Sequence, residues 1–390
     1  MLKSVKIEYA LLSIFLTTNI AGSSIAPMLP SIASNFEGGE DLSKLILTIP
    51  SLLAIPFILF SAILLKIFTK RTLILTGLSI YCFSGVASFL SFSENYLLFF
   101  RGLMGIGAGL IIPYATALIA DYYKDDKKDL VLSKSGISSN LGGIILLTSI
   151  GFLTSIYWRL GFLVPLISLL PMYLLYTQIH PKIQTSYHKY PFVFNIIFKK
   201  EIFLISLVYF LIMVLVFQYF SSISFVIKQN NIGGPFHAGI AQSFYMMAGI
   251  ISNSLMNLVK KVSPNLLYAF QMLFVAQGFF TLYDSNLDFI KICFASFLIG
   301  IGFGSFGNSM ISLATNYATK INRASTISLL IASMYLGQFV STIFFSYIAS
   351  LFHINKYFDI FLIEGIIFII IALFLFSKFI VANYKTKIIK

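Results

Sequence analysis

Long apolar segments recur from one end of this chain to the other, and they leave few folds open to it. A helix that crosses a bilayer needs roughly 20 mostly apolar residues. Twelve such stretches are present, near 9–31, 43–65, 72–92, 97–119, 132–155 and 160–178, then near 202–227, 238–259, 265–283, 289–315, 324–350 and 358–381. Their connections are short except for 179–201. Only 11% of the residues are charged, far below the roughly 25% of a soluble domain. In lipid every backbone group must be bonded internally, which favours helices. The expected fold is an all-α membrane protein of twelve transmembrane helices.

The net charge of +13 would suggest nucleic acid in a soluble protein. Its distribution points elsewhere. Of the 27 Lys and Arg, all but Lys44, Arg101, Arg159, Lys228, Lys291 and Lys356 fall at the chain ends or in every second connection, as with Lys66, Lys70 and Arg71, or Lys124, Lys127, Lys128 and Lys134. That alternation is the positive-inside pattern and puts both termini in the cytoplasm of a multi-pass cell-membrane protein. No nucleic-acid partner is expected. Lys3 and Lys6 precede an apolar run to about Pro30, longer than a signal-peptide core. Cys82 and Cys293 both lie in apolar stretches, which argues against a disulfide framework.

The chain also repeats itself. Leu103-Met104-Gly105-Ile106-Gly107-Ala108-Gly109 returns as Leu298-Ile299-Gly300-Ile301-Gly302-Phe303-Gly304, 195 residues later. The same ungapped offset pairs Leu118 with Leu313, Tyr122 with Tyr317, Ser133 with Ser328, Ser138 with Ser333, Leu141 with Leu336 and Gly142 with Gly337. Chance similarity between apolar helices does not explain a register kept through a polar connection. The expected organisation is an N-terminal six-helix bundle (1–178), a cytoplasmic linker (179–201) and a C-terminal six-helix bundle (202–390). Parallel six-helix repeats are a known transporter plan, with cargo near the midplane between them. In the linker, the stretch from Phe192 to Phe198 reads either as an amphipathic piece or as a solvated loop.

With the repeat in hand, the sequence resembles the major facilitator superfamily over nearly its whole length. Pro27-Met28-Leu29-Pro30 looks like the family's Pro-x-Leu-Pro in the first span. Arg101-Gly102-Leu103-Met104-Gly105-Ile106-Gly107-Ala108 is similar to its Arg-x-x-Gln-Gly-x-Gly-Ala in the fourth. Trp158-Arg159-Leu160-Gly161-Phe162 is similar to its Trp-Arg-x-x-Phe before the sixth. The pattern is nearest that of twelve-span drug and metabolite exporters, with departures. The loop between spans two and three places Lys66 where the family has Asp, and Lys70-Arg71 at its basic pair. Span five has Gly142 and Gly151 but lacks the antiporter Pro. Span one offers Thr17, Thr18 and Asn19 where drug–proton antiporters carry an acid.

The resemblance implies that Arg101 sits in a central cavity and takes part in coupling or anion binding; read from charge alone, it snorkels to an interface. Gly105, Gly107, Gly109, Gly300, Gly302 and Gly304 are expected to let helices approach closely. Asp121 and Glu364 are the candidate proton sites, since charge inside a bilayer is costly and needs a reason; a salt bridge is the plainer role for Asp121. Glu8 and Glu201 are expected at inner span ends. Candidate cargo contacts are Asn19, Tyr114, Asn140, Gln218, Tyr219, Gln242, Tyr245, Asn253, Asn308, Tyr335 and Gln338, uncharged hydrogen-bonding groups among apolar ones. Each reads equally as a bond between helices. His180, His188, His237 and His353 show no metal-ligand spacing. The glycine runs lie inside apolar spans, so no phosphate-binding loop is expected, and no cofactor.

The expected function is a secondary transporter, acting as a monomer, that exports a small organic molecule by alternating access, with proton coupling open. Uptake of a specific metabolite or siderophore is the close alternative. A polytopic membrane enzyme, or a scaffold that kept the fold and lost transport, ranks below both.

Overall fold

In a computed structural model of the chain, residues 2–179, 199–259, 264–319, 322–352 and 357–388 are described. Every regular element among them is helical. The N-terminal set is α1 (Leu2–Phe15), a 3-10 turn (Ser23–Met28), α2 (Leu29–Asn35), α3 (Gly39–Leu59), α4 (Ser61–Leu64), α5 (Lys70–Phe89), α6 (Glu94–Tyr122), α7 (Asp125–Ile156), a second 3-10 segment (Trp158–Ser168) and α8 (Leu169–Gln178). The C-terminal set is α9 (Lys200–Gln229), α10 (Pro235–Val259), α11 (Pro264–Leu282), α12 (Phe289–Phe303), α13 (Phe306–Asn316), α14 (Arg323–Leu351) and α15 (Tyr357–Ile388). The starts follow local chemistry. Thr69, Ser93 and Asp288 each accept a backbone N–H with a side-chain oxygen at the head of α5, α6 and α12.

Nine helical segments among the described residues are long and apolar enough to cross a membrane, one of them spanning α12 and α13 together. The other three expected crossings take different forms. α11 supplies only a short apolar helix, Leu266–Leu282. α10 is 25 residues long but carries Gln242, Ser243, Ser252, Asn253 and Ser254. The first span, expected to run unbroken over 9–31, is interrupted after Phe15 and resumes as a 3-10 turn and then α2. The cause is local. Thr17 and Thr18 turn their hydroxyls back onto the carbonyls of Ile14 and Phe15, at 2.7 and 2.8 Å. Pro27 and Pro30 then contribute no N–H to a ladder. The linker expectation, including Phe192 to Phe198, falls almost wholly outside the described residues, as do His180, His188 and His353.

The two sets pack by the same plan. α3 and α5 both lie on α6, as α10 and α11 both lie on α12; α5 meets the 158–168 segment as α11 meets α15; α1 meets α7 as α9 meets α14. The contacts themselves keep the 195-residue offset. A methyl at Gly105 would overlap Pro50, and one at Gly300 would overlap Tyr245. Gly109 is pressed on Ala54, and Gly304 on Gly249. In each crossing, a side chain at the glycine would push apart two helices whose backbones touch.

Between the sets, α7 packs on α10 and α3 on α14. These two contacts are again related by the repeat, and together with the first 3-10 turn and α2 against α9 they form a seam.

Candidate functional site

The seam is built from neutral hydrogen bonds. Ser51 on α3 donates to the amide oxygen of Gln338 on α14 at 2.8 Å, and Thr48 pairs with Thr342 at 3.3 Å. Thr148 on α7 pairs with Ser243 on α10 at 2.9 Å. Ser224 on α9 donates to the Ala26 carbonyl at 2.6 Å and receives Gln242 Nε2 at 3.3 Å. Pro30 cannot supply the α-helical donor to the Ala26 carbonyl, which takes the Leu29 N–H of the 3-10 turn instead, and Ser224 from the other set of helices adds a second donor. The other amide end of Gln242 is buried without a partner.

At the rim of the seam near the 36–39 turn sits a buried cation. Lys44 pairs with Glu40 one turn earlier at 2.7 Å. Its ammonium lies 5.1 Å from the ring centre of Tyr357 and 5.8 Å from that of Phe225, both in the C-terminal set. Lys228 reaches back the opposite way, donating to Ser34 Oγ at 2.8 Å. Ser346 donates to Asp41 at 3.0 Å. The Ser51–Gln338 bond lies mid-helix, and the other bridges run from there towards the 36–39 turn, away from the Lys66–Arg71 connection.

Arg101 is 1% exposed, so it does not snorkel. Its Nε donates to the Ile46 carbonyl at 3.2 Å and its Nη2 to the Ala21 carbonyl at 3.3 Å. Ile46 stands four residues before Pro50, so its carbonyl is also unclaimed by the helix. Ala21 lies in the interruption of the first span. Arg101 therefore caps two backbone defects in neighbouring elements, and four residues on, Gly105 lets α6 close onto Pro50.

The remaining candidates divide. Asn19 donates to the Ser139 carbonyl at 2.9 Å, tying the first span to α7. Tyr114 donates to the Ser61 carbonyl at 2.8 Å within the N-terminal set. Gln218 accepts from Ser221 on its own helix at 2.9 Å. Tyr245 stacks on Tyr219, whose hydroxyl donates to Ser296 at 2.6 Å. Asn140 donates to the Gly136 carbonyl on its own helix, while its Oδ1 stands against Gly249 on α10. Tyr335, almost fully buried, packs into the apolar cluster of the N-terminal set. Asn308 is exposed and donates to Asn253 at 2.7 Å. Only Gln242, Gln338, Tyr335 and Asn140 thus face the seam between the sets.

Asp121 is paired with Lys70 at 2.8 Å, not with the nearer Lys124, Lys127 or Lys128. Arg71 beside it donates to the Tyr176 carbonyl at 2.8 Å. The basic pair of the span two–three loop therefore ties α5 to α6 and α8, although Lys66 replaces the family's acid. Glu8 holds Lys134 at 2.6 Å. Glu364 is fully buried on α15, and neither carboxyl oxygen has a hydrogen-bond partner. Its helix packs on α11, where Phe361 and Phe368, one turn to either side of it, both meet Phe279.

Sequence reasoning missed Lys44, Ser51, Thr48, Thr342, Ser224 and Ser243. Lys44 was read as one of six basic residues towards the outside, and single hydroxyls in apolar helices carry no signal of their own.

A family model described as Major Facilitator Superfamily matches residues 11–320. The chain belongs to the major facilitator superfamily. It is a multi-pass membrane protein of a transporter family. Its fold matches a bacterial homolog of the human lysosomal transporter Spinster, solved in an inward-facing and unoccupied conformation, with a TM-score of 0.68 at 18% identity over 96% of each chain. It also matches a variant of the peptide transporter POT, with a TM-score of 0.72 at 15% identity over 94% of this chain and 93% of that one. No curated protein matches.

Proposed function

We propose that this member of the superfamily is a secondary active transporter that exports a small organic molecule across the cytoplasmic membrane by alternating access. The observation that carries this reading is the seam: two repeat-related sets of helices joined at one end by neutral, separable hydrogen bonds and a cation held between rings. Such an interface can part without leaving a buried charge unpaired, because Glu40 stays with Lys44, Arg101 stays with its own carbonyls, and Lys228 and Asp41, whose partners across the seam are hydroxyls and a carbonyl, are already exposed. The bundles are 1–178 and 202–390, joined by a cytoplasmic linker, with twelve crossings and both termini inside. The sealed end then faces outward, and the state is one open to the cytoplasm.

Cargo contacts are assigned to Gln242, Gln338, Tyr335 and Asn140, which face the seam, with Asn19, Tyr245 and Asn308 beside it. Their uncharged groups suit a polar or amphiphilic organic solute. Asp121 and Glu364 remain the proton candidates. The unit is a monomer. Uptake is the second reading, favoured by the absence of an acid at Thr17, Thr18 and Asn19 in the first span.

Everted vesicles test the proposal. Candidate solutes should accumulate above the protein-free control, and more so with a proton gradient if coupling is to protons. Accumulation equal to the control across the solutes tried, with and without a gradient, refutes export.

A further inference from the structure

The two glycine runs share a register but not a structure. α6 passes through Gly105, Gly107 and Gly109 as one helix of 29 residues. Its repeat mate stops at Phe303 and restarts at Phe306, with Ser305 at φ −103° and ψ −2° between. Polar side chains from three helices converge on that break. Ser252 on α10 lies 2.9 Å from Ser305 Oγ, and Gln271 on α11 lies 2.8 Å from it. Asn253 donates to the Gly304 carbonyl at 2.9 Å, and its own Oδ1 receives Asn308. Ser305, Gln271 and Ser252 are buried, whereas Asn308 is exposed, so the cluster runs from the surface of the helix set to its interior.

One group there is unaccounted for. Gln271 is 4% exposed, and one end of its amide has no partner. Turning the amide over leaves the other end without one, so the defect does not depend on how nitrogen and oxygen are assigned. A buried amide end without a bond costs about 1–3 kcal/mol. The break itself needs no such residue, since Ser252 and Asn253 already reach Ser305 and the Gly304 carbonyl.

We propose that the break at Gly304–Ser305 is a binding site for a sodium ion. The donor set is hard and neutral: two serine hydroxyls, the amide oxygens of Gln271 and Asn253, and carbonyl oxygen at the C-terminal end of α12. A helix C-terminus carries partial negative charge, and interrupted membrane helices are where transporters hold alkali cations. The set contains no carboxylate, which calcium and magnesium sites ordinarily require. Close spacing of the hydroxyls, with Gly304 pressed on Gly249, suits the smaller alkali ion. Binding turns the Gln271 oxygen onto the ion and so gives the orphaned amide end its partner. The site stands whether the chain exports or imports, and its test reads no transport.

The experiment is thermal unfolding of the purified full chain in detergent, at constant ionic strength, with choline chloride replaced stepwise by sodium or potassium chloride. Sodium should raise the unfolding temperature saturably, by about 2–4 °C, through binding to the folded state. Ser305→Ala and Ser252→Ala should each unfold cooperatively in choline and lose most of that increment; two variants are used so that a folding failure in one leaves the other. Coincident curves in sodium and choline, an equal increment in potassium, or a sodium increment retained in the variants overturns the proposal.

Discussion

Replacing Lys44 with Met keeps the length of the side chain and removes its charge. Lys44 is 8% exposed and its ammonium lies within 6 Å of two ring centres across the seam. A cation over one ring is worth about 0.5–1 kcal/mol when exposed and about 2 kcal/mol when desolvated. Taking about 2 kcal/mol for both rings together, and about 1.4 kcal/mol per tenfold, Lys44→Met should raise the population parted at this end about 30-fold. The Glu40 pair does not offset this, because Glu40 is on the same helix and stays with Lys44 in either state. The assay is the reaction rate of a membrane-impermeant maleimide with Thr342→Cys, 4% exposed in the seam, in a background lacking Cys82 and Cys293. A second reporter, Ser312→Cys, lies exposed towards the opposite end of its helix set. The Thr342→Cys rate should rise while the Ser312→Cys rate stays level or falls. A Thr342→Cys rate within about twofold of the parent refutes the reasoning, and a rise at both sites marks general loosening instead of parting.

Other perturbations follow from the same contacts. Arg101→Ala leaves the Ile46 and Ala21 carbonyls without donors and should lower stability by about 3 kcal/mol, read as a fall in unfolding temperature; Arg101→Lys should recover only part, since one ammonium cannot match a planar fork that spans two carbonyls. Gly105→Val and Gly300→Val should abolish folded protein on gel filtration, because each side chain would meet backbone of the neighbouring helix, whereas Gly136→Ala, with open space around it, should not. Glu364→Gln should leave the unfolding temperature within about 2 °C of the parent, as no hydrogen bond is lost; if it also removes the effect of a proton gradient on vesicle uptake, Glu364 is the coupling acid, and an unchanged gradient effect excludes it.

Much of this architecture was legible before any coordinates. The 195-residue offset read from Leu103–Gly109 and Leu298–Gly304 reappears in three dimensions, with Gly105 on Pro50 and Gly300 on Tyr245. Hydropathy gave the long spans because lipid imposes one simple rule on length and composition. The interruptions were not legible. Pro30 and Pro50 announce that the carbonyls of Ala26 and Ile46 lack an α-helical donor, but not that Ser224 and Arg101 reach them from remote helices. Gly107 and Gly302 occupy equivalent places, yet only the second run gives way, where Ser305 replaces the Leu110 of the first. Lys44 reads in sequence only as one of the basic residues towards the outside, because its rings lie some 180 and 310 residues further along the chain.

The central claim is that two sets of helices, sealed at one end, part there and close at the other. Spin-label distances across both ends in one membrane preparation test it most directly, with labels at Glu37 and Gln229 for the sealed end and at Thr69 and Tyr317 for the other. The account predicts two populations at each end, with the shorter distance at one end accompanying the longer at the other, and Lys44→Met moving both in opposite senses. A single fixed distance at each end, unmoved by Lys44→Met, would contradict it.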